Sequence, residues 1–259
     1  MSSPDNGVAA LAEILDWDTD YWGLRVARVA TPSDAHDLHA AVHWCAEHQV
    51  RMAHLSVAAG RLDLVDAAVR SGFDLVDVRV ELKRSTDPRE TTADAEVRDA
   101  QVSDIAVVGD IASTAHRGTR FSVDRHFPPG RSDELYRTWI ENSIDGWADF
   151  VLVVDDGSGP TGYVTGHVDA DRGAGSIGLI AVASTARGAG RGRVLVEAAL
   201  DRFESAGASN VSVATQASNV AALRLYERSG FVTHDVSIGL HKWFESPRPE
   251  RAERARRDR

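Results

Sequence analysis

A glycine-rich turn between a strand and a helix most constrains what this chain can fold into. Residues 177–182 are apolar and predict a strand, and residues 191–205 have the spacing of a helix. Glycines in the intervening segment 183–190 allow positive φ angles and let a ligand approach the backbone closely. Unpaired N–H groups and the positive end of the dipole at a helix start attract anions. The segment therefore predicts a binding site for a pyrophosphate.

Three glycine-rich patterns bind pyrophosphate groups, and two of them do not fit. A P-loop requires Lys followed by Ser or Thr after its last glycine, and no such pair follows Gly192. A dinucleotide-binding GxGxxG pattern counted from Gly188 would place its third glycine at Arg193. The pattern Arg/Gln-x-x-Gly-x-Gly/Ala fits, with Arg187, Gly190 and Gly192 at its defined positions. The alternative is a turn that only connects the strand to the helix.

A second strand and helix follow at residues 211–231. The alternating residues at its start predict a strand, and Ser218 is the predicted N-cap of a helix over 219–229 that Gly230 ends. Asn219 and Tyr226 are seven residues apart, so they share one face of this helix. By spacing alone, Tyr226 also fits a tyrosine at the edge of the core.

Together, the two segments resemble the acetyl-CoA-binding motifs of the GNAT superfamily of N-acetyltransferases. The resemblance implies an α/β (α+β) fold, a mixed central sheet flanked by helices, with the order β-α-α-β-β-β-α-β-α-β over residues 95–244. It implies acetyl-CoA as cosubstrate, no metal, direct transfer in a ternary complex, and Tyr226 as the catalytic acid that protonates the departing thiolate. The residues that it implies for cofactor binding are Ile180, Ala181, Val182, Arg187, Gly188, Ala189, Gly190, Arg191, Gly192, Asn219 and Tyr226.

Four further phrases resemble one group of GNAT enzymes, the TDP-fucosamine acetyltransferases, which acetylate the 4-amine of a TDP-4-amino-4,6-dideoxyhexose. The phrases are residues 16–27, 120–122, 136–143 and 213–226. This resemblance covers nearly the whole chain except its C-terminal tail. It implies a TDP-amino sugar (TDP-4-amino-4,6-dideoxy-D-galactose) as acceptor. The substrate-binding residues that it implies are Arg120, Phe121, Ser122 and Asn142.

Side chains in the predicted loop over residues 117–131 agree in part with a nucleotide acceptor. Cations beside aromatic rings can hold a diphosphate and stack a base. The cations are Arg117, Arg120, Arg125 and His126, and the aromatic residues are Phe121 and Phe127. The alternative is that the aromatic residues seal the core.

The general base is not fixed by the sequence. Many GNAT enzymes carry a glutamate on the cofactor strand, but residues 176–182 contain no acidic residue. Candidates elsewhere are Glu141, Asp124, His126 and His167. A chain of water molecules is the alternative, provided that a substantial fraction of the amine is neutral.

Domain organisation is predicted from composition and from a faint internal repeat. We predict an N-terminal αβ domain without catalytic residues over 8–84, a polar linker over 85–94, the GNAT domain over 95–244 and a disordered Arg-rich tail over 245–259. Residues 54–73 align without gaps on 212–231, so the N-terminal domain resembles a truncated GNAT half. Chance similarity of two αβ units is the alternative.

Composition excludes several classes of protein. The 259 residues carry a net charge of −10, which argues against a general nucleic-acid binder, and no apolar run is long enough to predict a membrane span. A single cysteine, Cys45, fits a reducing, cytoplasmic location. His36, His39 and His43 share a helix face, but we expect them to be solvated and not to bind zinc.

Other functions remain open from the sequence. A GNAT enzyme that acetylates a protein N-terminus, a lysine or an aminoglycoside is one alternative, and a non-catalytic acyl-CoA-binding regulator is another. A homodimer is a further expectation.

Overall fold

A computed structural model describes residues 11–86, 96–116, 118–128 and 130–245 of the chain. It contains two compact units, one from the described residues up to Val76 and from Ile238 onward, the other from Asp77–Ser237. The chain passes between them within strands β4 (Asp74–Ser85) and β10 (Val232–Trp243). The predicted linker at 85–94 and the predicted tail at 245–259 lie almost entirely outside the described residues, so their predicted roles remain predictions.

In the first unit, helices pack against the strands of the same unit. Its other elements are β1 (Ala12–Ile14), α1 (Asp16–Trp22), β2 (Val26–Val29), α2 (Ala35–Glu47), β3 (Met52–Ala58) and α3 (Leu62–Arg70). The strand order is β1-β2-β3-β10. Leu38 and Leu64 of the helices pack with Leu55 and Leu240 of the strands. This apolar contact holds the helices to the sheet.

The other elements of the second unit are β5 (Val97–Asp99), α4 (Ile105–Ala115), α5 (Arg120–Val123), α6 (Arg131–Asn142), β6 (Phe150–Asp155), β7 (Pro160–Asp169), β8 (Ala174–Val182), α7 (Arg191–Ser205), β9 (Asn210–Gln216) and α8 (Val220–Arg228). The second unit follows the predicted order of elements, except that the short helix α5 lies between the two predicted helices and the last predicted strand, β10, belongs to this unit only as far as Ser237. Its strands lie in the order β4-β9-β8-β7-β6-β5. β8 and β9 are parallel, whereas the other described pairs of this unit are antiparallel. The sheet is therefore mixed, as predicted.

Helices cover both faces of this sheet. On one face, Leu195 and Phe203 of α7 pack with Val154 and Val164. On the other, Val108 of α4 and Ile140 of α6 pack with Tyr163 and Val153. The alternating side chains of β6 and β7 thus supply both cores.

Several predicted boundaries differ from the structure. The predicted loop at 117–131 contains the short helix α5. The sequence also predicts a helix over 132–145, but α6 ends at Asn142 and continues as a π-helical turn, Ser143–Trp147. Ser33 is the cap that the sequence predicts for a helix to about residue 47, but α2 begins after Asp34, because Asp34 Oδ1 accepts hydrogen bonds from two helical N–H groups. Helix ends depend on such local side-chain bonds, which the apolar spacing does not encode.

The internal repeat has a structural counterpart. β3–α3–β4 and β9–α8–β10 have the same order, and in each the helix is followed by a glycine at φ +82°, Gly72 and Gly230. Arg61 and Asn219 occupy matching N-cap positions. The position of Tyr226 is taken in the first unit by Ala68, which removes the phenol that the predicted chemistry requires.

Candidate active site

Strands β8 and β9 separate partway along their length and form a fork. Their parallel pairing runs from Ala174↔Asn210 to Ile177↔Val213 and then stops. Beyond that point β8 continues beside β7 as far as Val182. On the other side of the fork, β9 continues beside β4 as far as Gln216. Beyond Ile177 and Val213 the two strands no longer pair with each other, so each presents an unpaired backbone edge toward the fork.

A bulge in β8 lies where the fork begins. Ile177 pairs with Gly166 and Ile180 pairs with Val164, so Gly178 and Leu179 together oppose the single residue Thr165. The Leu179 N–H donates to Thr165 Oγ1 over 2.8 Å. A bulge bends its strand and increases its local twist. It therefore gives β8 a physical reason to turn away from β9 at this position.

The edge of β8 that faces the fork offers backbone groups for pairing. The Ala183 N–H donates to Thr161 O of β7 over 2.8 Å. Because backbone groups alternate along a strand, the N–H and C=O groups of Ile180 and Val182 point to the opposite edge, into the fork. Ala181, the third predicted residue of this segment, directs its backbone toward β7 and its buried side chain toward the α4 and α6 face.

The predicted binding site for a pyrophosphate, residues 183–190, lies at the end of this edge, and we call this segment the cradle. It contains a 3-10 turn, Ser184–Ala186, and Gly188 and Gly190 have φ angles of +84° and +81°. A methyl group placed on either glycine would have no neighbour within 4 Å, so the backbone there is open to a ligand. Helix α7 begins at Arg191, and its first N–H groups have no partner within the helix. Sequence and structure agree on this turn.

The side chains of two arginines at the cradle, Arg187 and Arg191, are directed to other partners. Arg187 Nε donates to Val182 O over 3.2 Å, at the edge of the fork. The Arg191 guanidinium pairs with Asp156 at 2.6 Å and with Glu96 at 3.4 Å, and its side chain is only 17% exposed. The Arg191 side chain thus links α7 to the hairpin of β6 and β7. Only the backbone N–H of Arg191 is then suited to bind an anion.

Gly192 has a packing role. A methyl group on it would lie 3.3 Å from Leu225 Cδ2 of α8. A small residue at this position therefore lets α7 and α8 approach each other closely beside the cradle. Ala189, the remaining predicted residue of the turn, is exposed.

Helix α8 follows β9 along the chain and carries both Asn219 and Tyr226. Asn219, and not the predicted Ser218, is the N-cap, because its Oδ1 accepts from the Ala222 N–H over 3.2 Å. Its Nδ2 donates to Thr215 Oγ1 of β9 over 3.2 Å. The helix therefore begins one residue later than predicted.

Tyr226 is 2% exposed, and its ring centre lies 5.8 Å from that of Phe231. Within the described part of the chain, its hydroxyl has no hydrogen-bond partner. Burial raises the pKa of Tyr226, so the phenol keeps its proton at neutral pH. A protonated phenol without a protein partner is suited to donate to a ligand atom.

The predicted acceptor residues do not share one environment. Phe121 is 4% exposed and packs edge-to-face on Phe127 and Trp139, with ring centres 5.6 and 5.9 Å away, so it seals the core under α5. Ser122 Oγ accepts from the Gly118 N–H and closes the turn before α5. Asn142 is the partly exposed last residue of α6. Arg117 lies outside the described residues.

Arg120 lies close to a carboxylate that the sequence analysis did not select, Asp77. Burial raises the pKa of Asp77, while a 3.5 Å hydrogen bond from Gln216 and the charge of Arg120 oppose the rise. Gln216 is the last residue of β9. Asp77 therefore lies at the open end of the fork, which we call its mouth and where the carboxyl ends of β8 and β9 are found. No local pattern marks Asp77, because only the pairing of β4 with β9 brings it there.

The base candidates differ in their surroundings. Asp124 is buried, and its Oδ1 lies within hydrogen-bond distance, 2.8 Å, of His126 Nδ1. Glu141 is partly exposed on α6. His167 of β7 lies over the β8 bulge, since a methyl group on Gly178 would come within 3.0 Å of its Nε2. Among these candidates, only His167 lies against the strand that borders the fork.

A partly buried histidine lies under the same face of the sheet. His116 stacks on Tyr136 with ring centres 4.5 Å apart, and its Nε2 is 2.9 Å from the Tyr163 hydroxyl. Burial lowers the pKa of His116 to about 4. The folded protein therefore holds this ring neutral at pH values where an unfolded histidine binds a proton.

The free energy of unfolding should rise between pH 4 and pH 6.5. In that window the unfolded state binds the His116 proton and the folded state does not, and this contributes at most about 3 kcal/mol. His116→Gln should flatten this part of the profile in urea unfolding at pH 4.5 and 7.5. His234→Gln, at an exposed position of the same unit, should leave the profile unchanged. Equal profiles for wild type and His116→Gln would contradict the assignment.

Two features are absent from the described part of the chain. No helix in it is long and apolar enough to cross a membrane. No cluster of three or more His, Cys, Asp or Glu side chains in it could hold a metal ion.

Comparisons with known proteins place this arrangement in context. The profile of the family described as Acetyltransferase (GNAT) matches residues 119–231. The dTDP-fucosamine acetyltransferase of Escherichia coli O6:H1 is 30% identical over 243 residues, which are 91% of this chain and 99% of that protein. N-alpha-acetyltransferase 30 of Saccharomyces cerevisiae is 35% identical over 118 residues, which are 42% of this chain and 65% of that protein.

The solved structures include a similar fold. A GCN5-related N-acetyltransferase from Sphaerobacter thermophilus aligns with a TM-score of 0.61 at 18% identity, over 90% of this chain and 76% of that one. This alignment confirms the predicted mixed sheet flanked by helices.

Proposed function

The chain belongs to the GNAT family of acetyltransferases, and on that premise we propose that it acetylates the amine of a nucleotide-linked amino sugar. The acceptor is of the TDP-4-amino-4,6-dideoxyhexose type. Support comes from the identity with dTDP-fucosamine acetyltransferase, which extends over 91% of this chain and therefore includes the first unit. A cytoplasmic location and a homodimer remain predictions.

The residues around the fork fit acetyl-CoA. Gly188, Gly190 and the first N–H groups of α7 would hold the pyrophosphate, and the Ile180 and Val182 backbone would pair with the pantetheine arm as a missing strand does. Asn219 lies beside this path at the start of α8. The single observation that carries the assignment is the unpaired edge of β8, which leads directly into the open glycine turn.

The chemistry is a direct transfer. Acetyl-CoA supplies a thioester, and a backbone N–H of the β8 edge would polarise its carbonyl. The neutral amine of the acceptor attacks the carbonyl carbon, the C–S bond breaks, and the thiolate takes the proton of Tyr226. The nitrogen gives up one proton to a water molecule, and solvent returns a proton to the phenolate. Products are the N-acetyl sugar and free CoA.

Arg120 would serve the acceptor. Its guanidinium lies 4.7 Å from the Phe121 ring centre, which orients it above the buried aromatic cluster. Its charge opposes the rise of the pKa of Asp77 and of Tyr136, two groups that burial would otherwise keep protonated more strongly. A guanidinium can bind a diphosphate through two parallel hydrogen bonds.

Arg120→Ala should raise KM for the TDP-amino sugar and leave KM for acetyl-CoA nearly unchanged. The loss of one charge-assisted contact is worth roughly 1.5–3 kcal/mol, a factor of about 10 to 150 in KM. Steady-state kinetics with each substrate varied in turn gives both constants. Arg137→Ala removes an equal charge, paired with Asp110 on neighbouring α4, and should change neither. A parallel rise of both constants in Arg120→Ala would assign Arg120 a structural role.

Acetylation of a protein N-terminus is the second candidate function. It is favoured by the 35% identity with N-alpha-acetyltransferase 30 of Saccharomyces cerevisiae. This identity is higher than the 30% identity with dTDP-fucosamine acetyltransferase, but it covers a shorter segment of the chain. A turnover screen with acetyl-CoA against TDP-amino sugars, N-terminal peptides, lysine peptides and aminoglycosides separates the candidates. Turnover of a peptide without turnover of the sugar nucleotide would replace the first proposal by the second.

A further inference from the structure

We propose that Trp147 and His167 form the subsite that holds the sugar ring of the acceptor. The inference rests on the proposed function and identifies residues that position the sugar beside the thioester. Neither Trp147 nor the pairing of the two side chains is marked by the sequence motifs of the cofactor site.

His167 lies at the acetyl end of the fork. The glycine turn follows the carboxyl end of β8, so a cofactor that begins there passes Val182 and Ile180 before it reaches the bulge at Gly178. His167 Nε2 would lie 3.0 Å from a methyl group on Gly178. A glycine at this position therefore lets the imidazole rest directly on the backbone of β8, where the path of the cofactor ends.

The imidazole also lies on the acceptor side of the sheet. Tyr163, Thr165 and His167 alternate to one face of β7, which is the face covered by α4 and α6. Tyr163 contacts His116, which stacks on Tyr136, and Tyr136 feels the charge of Arg120. The same face therefore carries the cation proposed for the diphosphate and the imidazole proposed for the sugar.

Trp147 adds an exposed aromatic surface to this point. It ends the π-helical turn after α6, where Gly146 takes a φ of +105° and redirects the chain. The Trp147 side chain is 58% exposed, and its ring centre lies 6.4 Å from that of His167 at an interplanar angle of 72°. More than half of the surface of Trp147 is therefore exposed to solvent beside the imidazole.

This pair of side chains suits a deoxyhexose. The C–H face and the methyl group of such a ring pack on an aromatic surface, while its hydroxyl groups need a hydrogen-bonding partner, which an imidazole supplies. Ligand sites commonly combine apolar aromatic surface with a few polar groups that fix orientation. The pair is therefore compatible with the proposed sugar acceptor.

Variants of Trp147 test the subsite with TDP-4-amino-4,6-dideoxy-D-galactose and acetyl-CoA as substrates. Trp147→Leu, which keeps an apolar side chain but removes the ring, should raise KM for the sugar nucleotide about tenfold. Trp147→Phe, which keeps an aromatic face, should stay within about threefold of wild type. KM for acetyl-CoA should not change in either variant. His167→Ala should raise KM for the sugar nucleotide, and His167→Gln should recover part of the loss.

A matched control is available in the first unit. Trp17 is 40% exposed on α1, and Trp17→Leu should change neither KM. If wild type turns over the sugar nucleotide but Trp147→Leu has the wild-type KM, the subsite is overturned and the proposed function stands. If wild type does not turn over the sugar nucleotide, both are overturned. A change of oligomeric state in Trp147→Leu on sedimentation would assign the tryptophan to an interface between copies and also overturn the subsite.

Discussion

Gly190→Asp should abolish the rise in melting temperature that acetyl-CoA gives the wild-type protein. At a ligand concentration of 100 Kd, binding to the native state alone stabilises wild type by about 2.7 kcal/mol. For a unit of this size that corresponds to a shift of several degrees. The aspartate would place a negative charge at the N-terminus of α7, where the pyrophosphate would otherwise bind.

The apo variant should remain folded. Gly190 has a φ of +81°, which costs a non-glycine residue about 1–2 kcal/mol, but a Cβ there would have no neighbour within 4 Å. Aspartate also tolerates this conformation better than most residues and favours helix N-termini. The expected effect is therefore on ligand binding and much less on the fold.

Gly207→Asp is a closely matched control for this prediction. Gly207 follows the other end of α7, has a φ of +82°, and would likewise place its Cβ in open space. The Gly207→Asp substitution introduces the same charge and the same backbone strain, but at the end of α7 that is far from the glycine turn. This control should keep the acetyl-CoA shift. A Gly190→Asp protein that keeps the full shift would remove the turn from the cofactor site.

The sequence predicts the elements of the proposed cofactor site well, because their signals are local. The strand, the glycine turn and the start of α7 at Arg191 lie in one continuous segment, and their glycines and apolar spacing suffice to place them. The start of α8 is predicted one residue early, since the choice between Ser218 and Asn219 depends on which side chain reaches the Ala222 N–H. That choice is decided by geometry and not by composition.

The acceptor side is less predictable, because it is assembled from distant parts of the chain. Asp77 and Gln216 meet across 139 residues through the register of β4 and β9, which no local pattern specifies. The aromatic character of Phe121 suggested contact with a base, but an apolar ring is buried whenever the fold offers it a place, and Phe127 and Trp139 provide one. Arg191 likewise finds carboxylates on a hairpin that the cofactor motif does not include.

Tyr226→Phe should lower kcat by a factor of roughly 10² while acetyl-CoA binding and stability change little. The substitution keeps the buried ring and its packing near Phe231 and removes only the hydroxyl, which has no partner in the described residues. Loss of a general acid typically costs a factor of roughly 10²–10⁴. We expect the low end, because a thiolate is a tolerable leaving group even without protonation.

Tyr163→Phe separates the loss of a buried hydroxyl from the loss of an acid. The Tyr163 hydroxyl bonds to His116 Nε2 over 2.9 Å, so its removal should lower the free energy of unfolding by about 1–3 kcal/mol and have much less effect on kcat. Tyr226→Phe should show the opposite pattern, a large loss of kcat with little change in unfolding. Single-turnover measurements must show that chemistry limits the rate. If they do, and Tyr226→Phe keeps the wild-type kcat, then Tyr226 is a core tyrosine, and the proton that leaves with CoA must come from water.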